Sequence, residues 1–352
     1  MPDGDITESL GLASGYNPSW ELLNGISLAG LRDECAAFLR DTQAMWDETY
    51  PAFVKKVLGM DPREATRADA LALFRASEYD NAFPGNQMEA VMRRQITEMG
   101  IDPTAKGRVI FDVGEREGKR SRAFCSPVRV PEEVYLVLRP HGGQSDYNTF
   151  LHELGHALHF AYTSSDYPFE FRWLGDNSVT ESYAMLFDHR MQDKRWLLRY
   201  TELGGNRVGK FLRTAGFEEL HFLRRYCAKF LYERTLYSGK VPWSELPDLY
   251  VSLLTNATGF EYNAADAFVD VDPRFYSARY LRAWQLQSVL NEQLTSRFDI
   301  DWFRNPGAGP WMVSELFSHG QREMAEEIST RVGGGALSFQ PLVRKIEALL
   351  EA

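Results

Sequence analysis

Apolar residues recur along most of the chain at intervals of three and four, the spacing of amphipathic helices packed on one another. Leu31, Cys35, Phe38, Thr42 and Met45 keep this interval, as do Leu220, Leu223, Cys227 and Phe230, and again Phe339, Leu342, Ile346 and Leu349. Phe150, Leu151, Leu154 and Leu158 mark a further helix, with Gly142-Gly143 as the turn before it and Ser145 or Asp146 as its expected N-cap. After a connection broken by Ser164, Ser165 and Pro168, helical spacing resumes from Asp176 to Asp188. One interval departs from this period. Ala123 to Pro131 and then Val134 to Leu138 alternate as strands do, and the two prolines place the first of them at an edge or in a hairpin. Breaks fall at Gly59 to Ala65, Met99 to Gly107, Gly204-Gly205 and Gly333-Gly334-Gly335. The second is expected to divide an N-terminal helical lobe, residues 1–107, from a second region, 108–352. The pattern predicts a mainly α fold with one small β element, without internal repeats or low-complexity segments.

Composition narrows the class. With 44% hydrophobic and 25% charged residues, the chain can bury a sizeable core. A formal charge of −10 argues against nucleic acid or an anionic membrane as the main partner. No apolar run approaches membrane-spanning length, and the opening Met-Pro-Asp-Gly-Asp does not read as a signal peptide. Cys35, Cys125 and Cys227 are odd in number and widely spaced, so reduced thiols and a cytoplasmic location are expected.

The candidate chemistry lies in His152-Glu153-Leu154-Gly155-His156. On a helix, His-Glu-x-x-His sets two imidazoles one turn apart on one face, a geometry that grips zinc. Glu153 projects near that face and is the residue type needed to take a proton from water at such a metal. The plain alternative is a buried helix whose histidines pair with core carboxylates. A catalytic zinc needs a third protein ligand. The Asp176–Asp188 helix, folding back antiparallel to the first, presents Glu181 for that role. Asp188, two turns further on, is either an exposed acid at a helix end or a hydrogen-bond partner for the outer nitrogen of a ligating histidine. His159 lies near the ligand face but finds no vacancy on a metal with three protein ligands and water, so it is read as a packing or supporting residue. His141, His189, His221 and His319 show no paired ligand spacing. Arg116, Lys119 and Arg120 read either as contacts for a substrate carboxylate or as a solvated charge run.

These residues resemble the thimet oligopeptidase and oligoendopeptidase F family of zinc peptidases. That family takes its third ligand from a glutamate on the next helix, and residues 157–180, 24 in number, separate His156 from Glu181. The shorter gap and Asn-Glu-x-x-x-Asp pattern of thermolysin-like enzymes are missing. Asp146 and Thr149 ahead of the motif, and Arg116-Glu117-Gly118-Lys119-Arg120 followed by Ala123, are similar to two further family blocks. Asp272 to Tyr280 resembles a late loop and helix on which the family sets a histidine and tyrosines as donors to the oxyanion. The resemblance thus implies Tyr280 and Tyr276 as catalytic donors. No histidine precedes Tyr276, and Ala283 stands where a further tyrosine would align. Either Arg274 or Arg279 then substitutes, or catalysis leans more on zinc alone. Full-length members are considerably longer than 352 residues, so the chain resembles a short member or a catalytic half. A cleft lacking part of one wall either admits larger substrates or needs a partner chain to complete it.

The expectation is therefore a helical, zincin-like metallopeptidase with a small β-sheet beside its active-site cleft, residues 108–352 carrying the catalysis. It holds one Zn2+ per chain on His152, His156 and Glu181, uses Glu153 as general base, and hydrolyses internal bonds of short unfolded peptides. Two rivals stand beside it. One is a zinc carboxypeptidase using Arg274, Arg279 or Arg282 to hold a substrate carboxyl terminus. The other is a zinc-containing peptide-binding protein with little turnover.

Overall fold

The computed structural model describes residues 9–12 and 15–352, so the Met-Pro-Asp-Gly-Asp read for a leader lies outside the described residues. In chain order the helices are α1 (Tyr16–Asn24), α2 (Leu28–Asp41), α3 (Gln43–Phe53), α4 (Arg67–Arg75), α5 (Met88–Glu98), α6 (Gln144–Tyr162), α7 (Phe169–Trp173) and α8 (Asn177–Asp188). They continue as α9 (Lys194–Tyr200), α10 (Asn206–Leu236), α11 (Leu246–Thr258), α12 (Tyr276–Phe298), α13 (Ala308–Glu315), α14 (Ala325–Val332) and α15 (Gln340–Leu350). Strands β1 (Val109–Val113), β2 (Phe124–Arg129) and β3 (Glu133–Leu138) lie between α5 and α6. The chain is mainly α with a small sheet, as the periodicity predicts. Among the described residues no helix is long and apolar enough to cross a membrane.

The chain divides into two compact units assembled from separate stretches. One takes the residues up to Arg75, then Gly216–Leu281 and Val343–Leu350; the other takes Ala76–Ala215, Arg282–Leu342 and the last two residues. The break at Met99 to Gly107 falls inside the second unit, and the division differs from the expected one at residue 107. Long-range packing explains this. Buried Gln95 of α5 accepts the indole N–H of Trp196 at 2.7 Å, and the Met99 carbonyl accepts the amide of Gly309 at 2.9 Å. A helix break is legible in local sequence, whereas the unit a helix joins depends on partners a hundred residues or more away.

In the first unit, Trp46 stacks on Tyr50 (5.3 Å) and Phe217 (5.2 Å) at the centre of an aromatic core. The stripe Leu31, Cys35, Phe38 is buried on α2, but the helix expected to run on to Met45 is interrupted at Thr42. Thr42 turns its hydroxyl back to the Phe38 carbonyl at 2.8 Å. The Arg224 guanidinium takes both that hydroxyl, at 2.7 Å, and the Leu39 carbonyl, at 2.9 Å. Both bonds compete with the helical ladder where it stops.

In the second unit, β3 is central, parallel to β1 and antiparallel to β2. β2 is an edge strand, in keeping with its Pro127, with a ladder irregularity between Pro127 and Arg129. Val134, Leu136 and Leu138 are buried on the face that meets α6, where Phe111 packs on Phe150 at 5.8 Å. Lys119 is no surface cation. Its ammonium is buried and donates to the carbonyls of Asp112 (2.7 Å), Gly114 (2.8 Å) and Leu138 (2.8 Å), stapling the loop between β1 and β2 to the sheet. Buried ammonium is tolerated because all three donors find acceptors.

Candidate metal centre

The site begins with the placement of α6. Gly142 and Gly143 take φ of 89° and 93°, left-handed values that suit glycine, and the helix starts at Gln144. Neither expected residue caps it. The Asp80 carboxylate accepts the Gln144 amide at 3.1 Å from a distant segment. Asp146 turns back to accept the amides of His141 (2.7 Å) and Gly142 (2.5 Å), fixing the turn instead. α8 is buried from Ser178 to Asp188, so it runs through the unit's interior. Its N-cap, Asp176, accepts the Ser178 amide at 3.0 Å and ion-pairs with the nearly inaccessible Arg282 at 2.8 Å. Gly155 lets α6 and α8 meet: a β-carbon there would lie 2.6 Å from both the Ala184 Cα and the Tyr183 carbonyl oxygen.

This crossing brings His152, His156 and Glu181 together, with one ligand atom from each within 4.8 Å of the others. Among the described residues they are the one group of three histidine, cysteine or acidic side chains so arranged. The Glu181 Oε2 stands 3.5 Å from His152 Nε2 and 3.6 Å from His156 Nε2. A tetrahedral ion with bonds of about 2.1 Å separates its ligand atoms by about 3.4 Å, so the spacing fits one zinc-sized ion. Two imidazoles and a carboxylate are also the donor set of a catalytic rather than a structural site, since three ligands leave a position open.

The outer nitrogens are engaged. His152 Nδ1 lies 2.8 Å from Asp188 Oδ2, and His156 Nδ1 lies 2.8 Å from Thr180 Oγ1. A carboxylate only accepts, so His152 directs its Nδ1–H at Asp188 and leaves Nε2 as the nitrogen facing Glu181. Of the two readings of Asp188, the structure shows the buried hydrogen-bond partner. Thr180 had no sequence signal, because no spacing rule singles out the residue before a ligand. Burial by itself would depress the His152 imidazole, but the Asp188 and Glu181 carboxylates outweigh it and hold it well above its ordinary pKa. Burial likewise opposes ionisation of Glu181, yet the two imidazoles hold its carboxyl far below the usual range. The pocket favours positive charge, as a cation site must.

Glu153 is half-buried on α6 and faces the edge strand: burial, and secondarily the Glu153 charge, push the Cys125 thiol of β2 well above its ordinary pKa. His159 is fully buried, its imidazole pushed down to about 3 by burial, and its Nε2 lies 3.1 Å from the Gly320 carbonyl. It packs edge-on to Tyr183 at 4.9 Å, away from any ligand role. Tyr276 and Tyr280 belong to the first unit, their rings edge-to-face at 5.0 Å and Tyr280 against Tyr226 at 5.5 Å.

The model of Peptidase family M3 matches residues 37–173. A search of curated proteins returned no significant sequence match. The structure is similar to an M32 carboxypeptidase from Deinococcus radiodurans R1, with 19% identity and a TM-score of 0.61 over 92% of this chain and 74% of that one. It is also similar to metallocarboxypeptidase 1 of Trypanosoma cruzi, with 16% identity and a TM-score of 0.60 over 96% and 70%. A protein assigned as an oligoendopeptidase F of Bacillus anthracis aligns with 12% identity and a TM-score of 0.67 over 99% of this chain and 60% of its own. At such identities the likeness is one of fold. The family match takes in the His-Glu-x-x-His turn, and the solved structures share the helical fold that continues past it.

Proposed function

We propose that the chain is a zinc-dependent oligopeptidase that hydrolyses internal bonds of short unfolded peptides, with one ion held by His152, His156 and Glu181. The observation that carries this reading is the convergence of those three donors beside Glu153 and the edge strand β2. Zinc, when bound, supplies a Lewis acid that polarises a peptide carbonyl and eases deprotonation of water. Glu153 accepts the proton of the attacking water and delivers it to the leaving amine. A peptide adding to the outer edge of β2 lies across Glu153 and is held mainly through its backbone, which gives broad side-chain tolerance. Partners are then peptides rather than nucleic acid or membrane, in keeping with a charge of −10, and the proposed location is the cytoplasm. A partner chain completing the cleft remains part of this reading.

A carboxypeptidase reading is favoured by the carboxypeptidases among the structures of similar fold. Of the cations expected to hold a substrate carboxyl terminus, Arg282 is engaged with Asp176, Ser178 and Glu326, and Arg279 donates to Asn24 at 2.7 Å. Arg274 is the exposed one. Incubating the zinc-loaded chain with a mixed peptide library and profiling products by mass separates the readings. Internal fragments support the oligopeptidase, stepwise shortening from the carboxyl end supports the carboxypeptidase, and intact peptides favour the binding protein.

Two further results are expected. Glu181→Ala should no longer retain stoichiometric zinc on dialysis, read by atomic absorption; full retention would point to another third ligand. Asp188→Asn should weaken zinc binding by about 10–100-fold and Thr180→Val by less, since a neutral hydroxyl polarises imidazole less than a carboxylate does. Competition against a chromophoric chelator measures both, and unchanged affinity in Asp188→Asn would remove its supporting role.

A further inference from the structure

Arg172, on the short helix α7, reaches the far end of the edge strand. Its Nη1 donates to the Val130 carbonyl at 2.6 Å, in the turn between β2 and β3. α7, β2 and the three metal donors all belong to the second unit. Among the described residues this is the one hydrogen bond Arg172 makes; no carboxylate pairs with it, and its Nε is enclosed without an acceptor. The acids close to it in sequence are otherwise placed. Glu133, at the start of β3, pairs with Arg129 at 2.8 Å and accepts the Tyr135 hydroxyl at 3.0 Å. Glu170 precedes Arg172 by two residues on α7 and so lies on a different side of that helix. A half-buried guanidinium offers its donors in a planar fork that matches a carboxylate, and here most of them go unused.

The position of Arg172 gives that unused fork a place along a bound peptide. Cys125, near one end of β2, faces Glu153, and Val130 follows five residues later. At a rise of about 3.3 Å per residue, the strand carries the chain about 16 Å from Glu153 towards Arg172. A peptide laid along the outer edge of β2, with its scissile bond at Glu153, therefore has a residue about five positions away at the guanidinium. Phe169 stands three residues before Arg172 on the same side of α7, is 52% exposed, and stacks on Trp173 at 5.9 Å. An exposed ring beside an unpaired cation is a surface built for contact.

We propose that Arg172 is a specificity-determining residue that binds a carboxylate of the peptide, its C-terminus or an acidic side chain, about five residues from the bond that is cut. The inference rests on the reading of β2 as the peptide-binding edge, and it adds the class of peptide preferred: one bearing an anion at a fixed distance from the cleavage point.

The test is one of binding, so that it does not depend on turnover. Zinc-loaded Glu153→Gln chain is titrated, by fluorescence anisotropy, with labelled short peptides that end in a free acid or an amide, and with an amide-ended series in which one aspartate is moved along an alanine background. The acid-ended peptide, or the aspartate peptide at one register, should bind about tenfold or more tighter than its neutral counterpart; which of the two does so identifies the source of the carboxylate. Adding Arg172→Gln should abolish that ratio and leave the neutral peptide's affinity as it was, an outcome that a merely structural loss does not produce. Arg172→Lys keeps the charge without the fork and should retain part of the ratio. Equal affinity for acid and neutral peptides, or a ratio that survives in Arg172→Gln, would overturn the proposal. If Arg172→Gln does not fold, Arg172→Lys decides, and an undiminished ratio there counts against the site. Turnover by the chain with Glu153 intact tests the peptidase reading separately: an Arg172-dependent preference without cutting removes the hydrolase and keeps the site, while cutting with no preference does the reverse.

Discussion

Replacing Glu153 by glutamine is expected to leave the chain folded and zinc-loaded while kcat falls by about 10²- to 10⁴-fold. Glutamine matches glutamate in size, so the half-buried position between α6 and β2 should accept it without repacking. The hydrogen bonds that orient His152 and His156 run to Asp188 and Thr180 and do not involve residue 153, so the three metal donors keep their geometry. Only the capacity to accept and return a proton disappears. Turnover and zinc content measured on the same preparation test this. A variant that keeps its metal and cuts peptides at a near-normal rate would show that the proton travels through another group.

Gly155→Ala, a change of one methyl inside the His-Glu-x-x-His turn, should reach the site through packing alone. The new β-carbon would stand 2.6 Å from backbone atoms of α8, and neither contact is the movable end of a side chain. The helices must separate or tilt, at a cost of about 1–3 kcal/mol for overpacking. Because α6 carries both histidines and α8 carries Glu181, the same displacement spreads the three donors, and zinc affinity should fall along with stability. Denaturant unfolding of the metal-free chain and chelator competition read the two effects separately. Gly204→Ala is the control, since a β-carbon there meets nothing within 4 Å, and it should shift stability by no more than about 0.5 kcal/mol. Unchanged zinc affinity in Gly155→Ala would mean that the α6–α8 crossing does not set the donor spacing.

Much of the site was legible because it is local. His152, Glu153 and His156 lie within two turns of one helix, and a period of 3.6 residues puts them on a common side whatever surrounds them. Pro127 excludes β2 from the middle of a sheet by removing a backbone donor, so its edge position followed from one residue type. Asp188 was within reach by the same helical arithmetic, two turns beyond Glu181. Thr180, Asp80 and Arg282 were not. Each acts through a partner that periodicity does not reveal: the imidazole of His156, the N-terminus of α6 and the N-cap of α8.

The sequence by itself determined the mainly helical character, the edge strand and the chemistry available on α6, since these follow from spacing, backbone restriction and residue type over a few neighbours. Only the tertiary structure decided the division into units and the break at Thr42, where a distant arginine outbids the helix for its own carbonyl. It also decided that Lys119 is buried as a staple rather than displayed as a surface cation, and that Gly155 is where two helices touch. The physical reason is common to all of these. Helix and strand are built from bonds between near neighbours, while burial, close approach and the pairing of charges depend on atoms that folding brings from far along the chain.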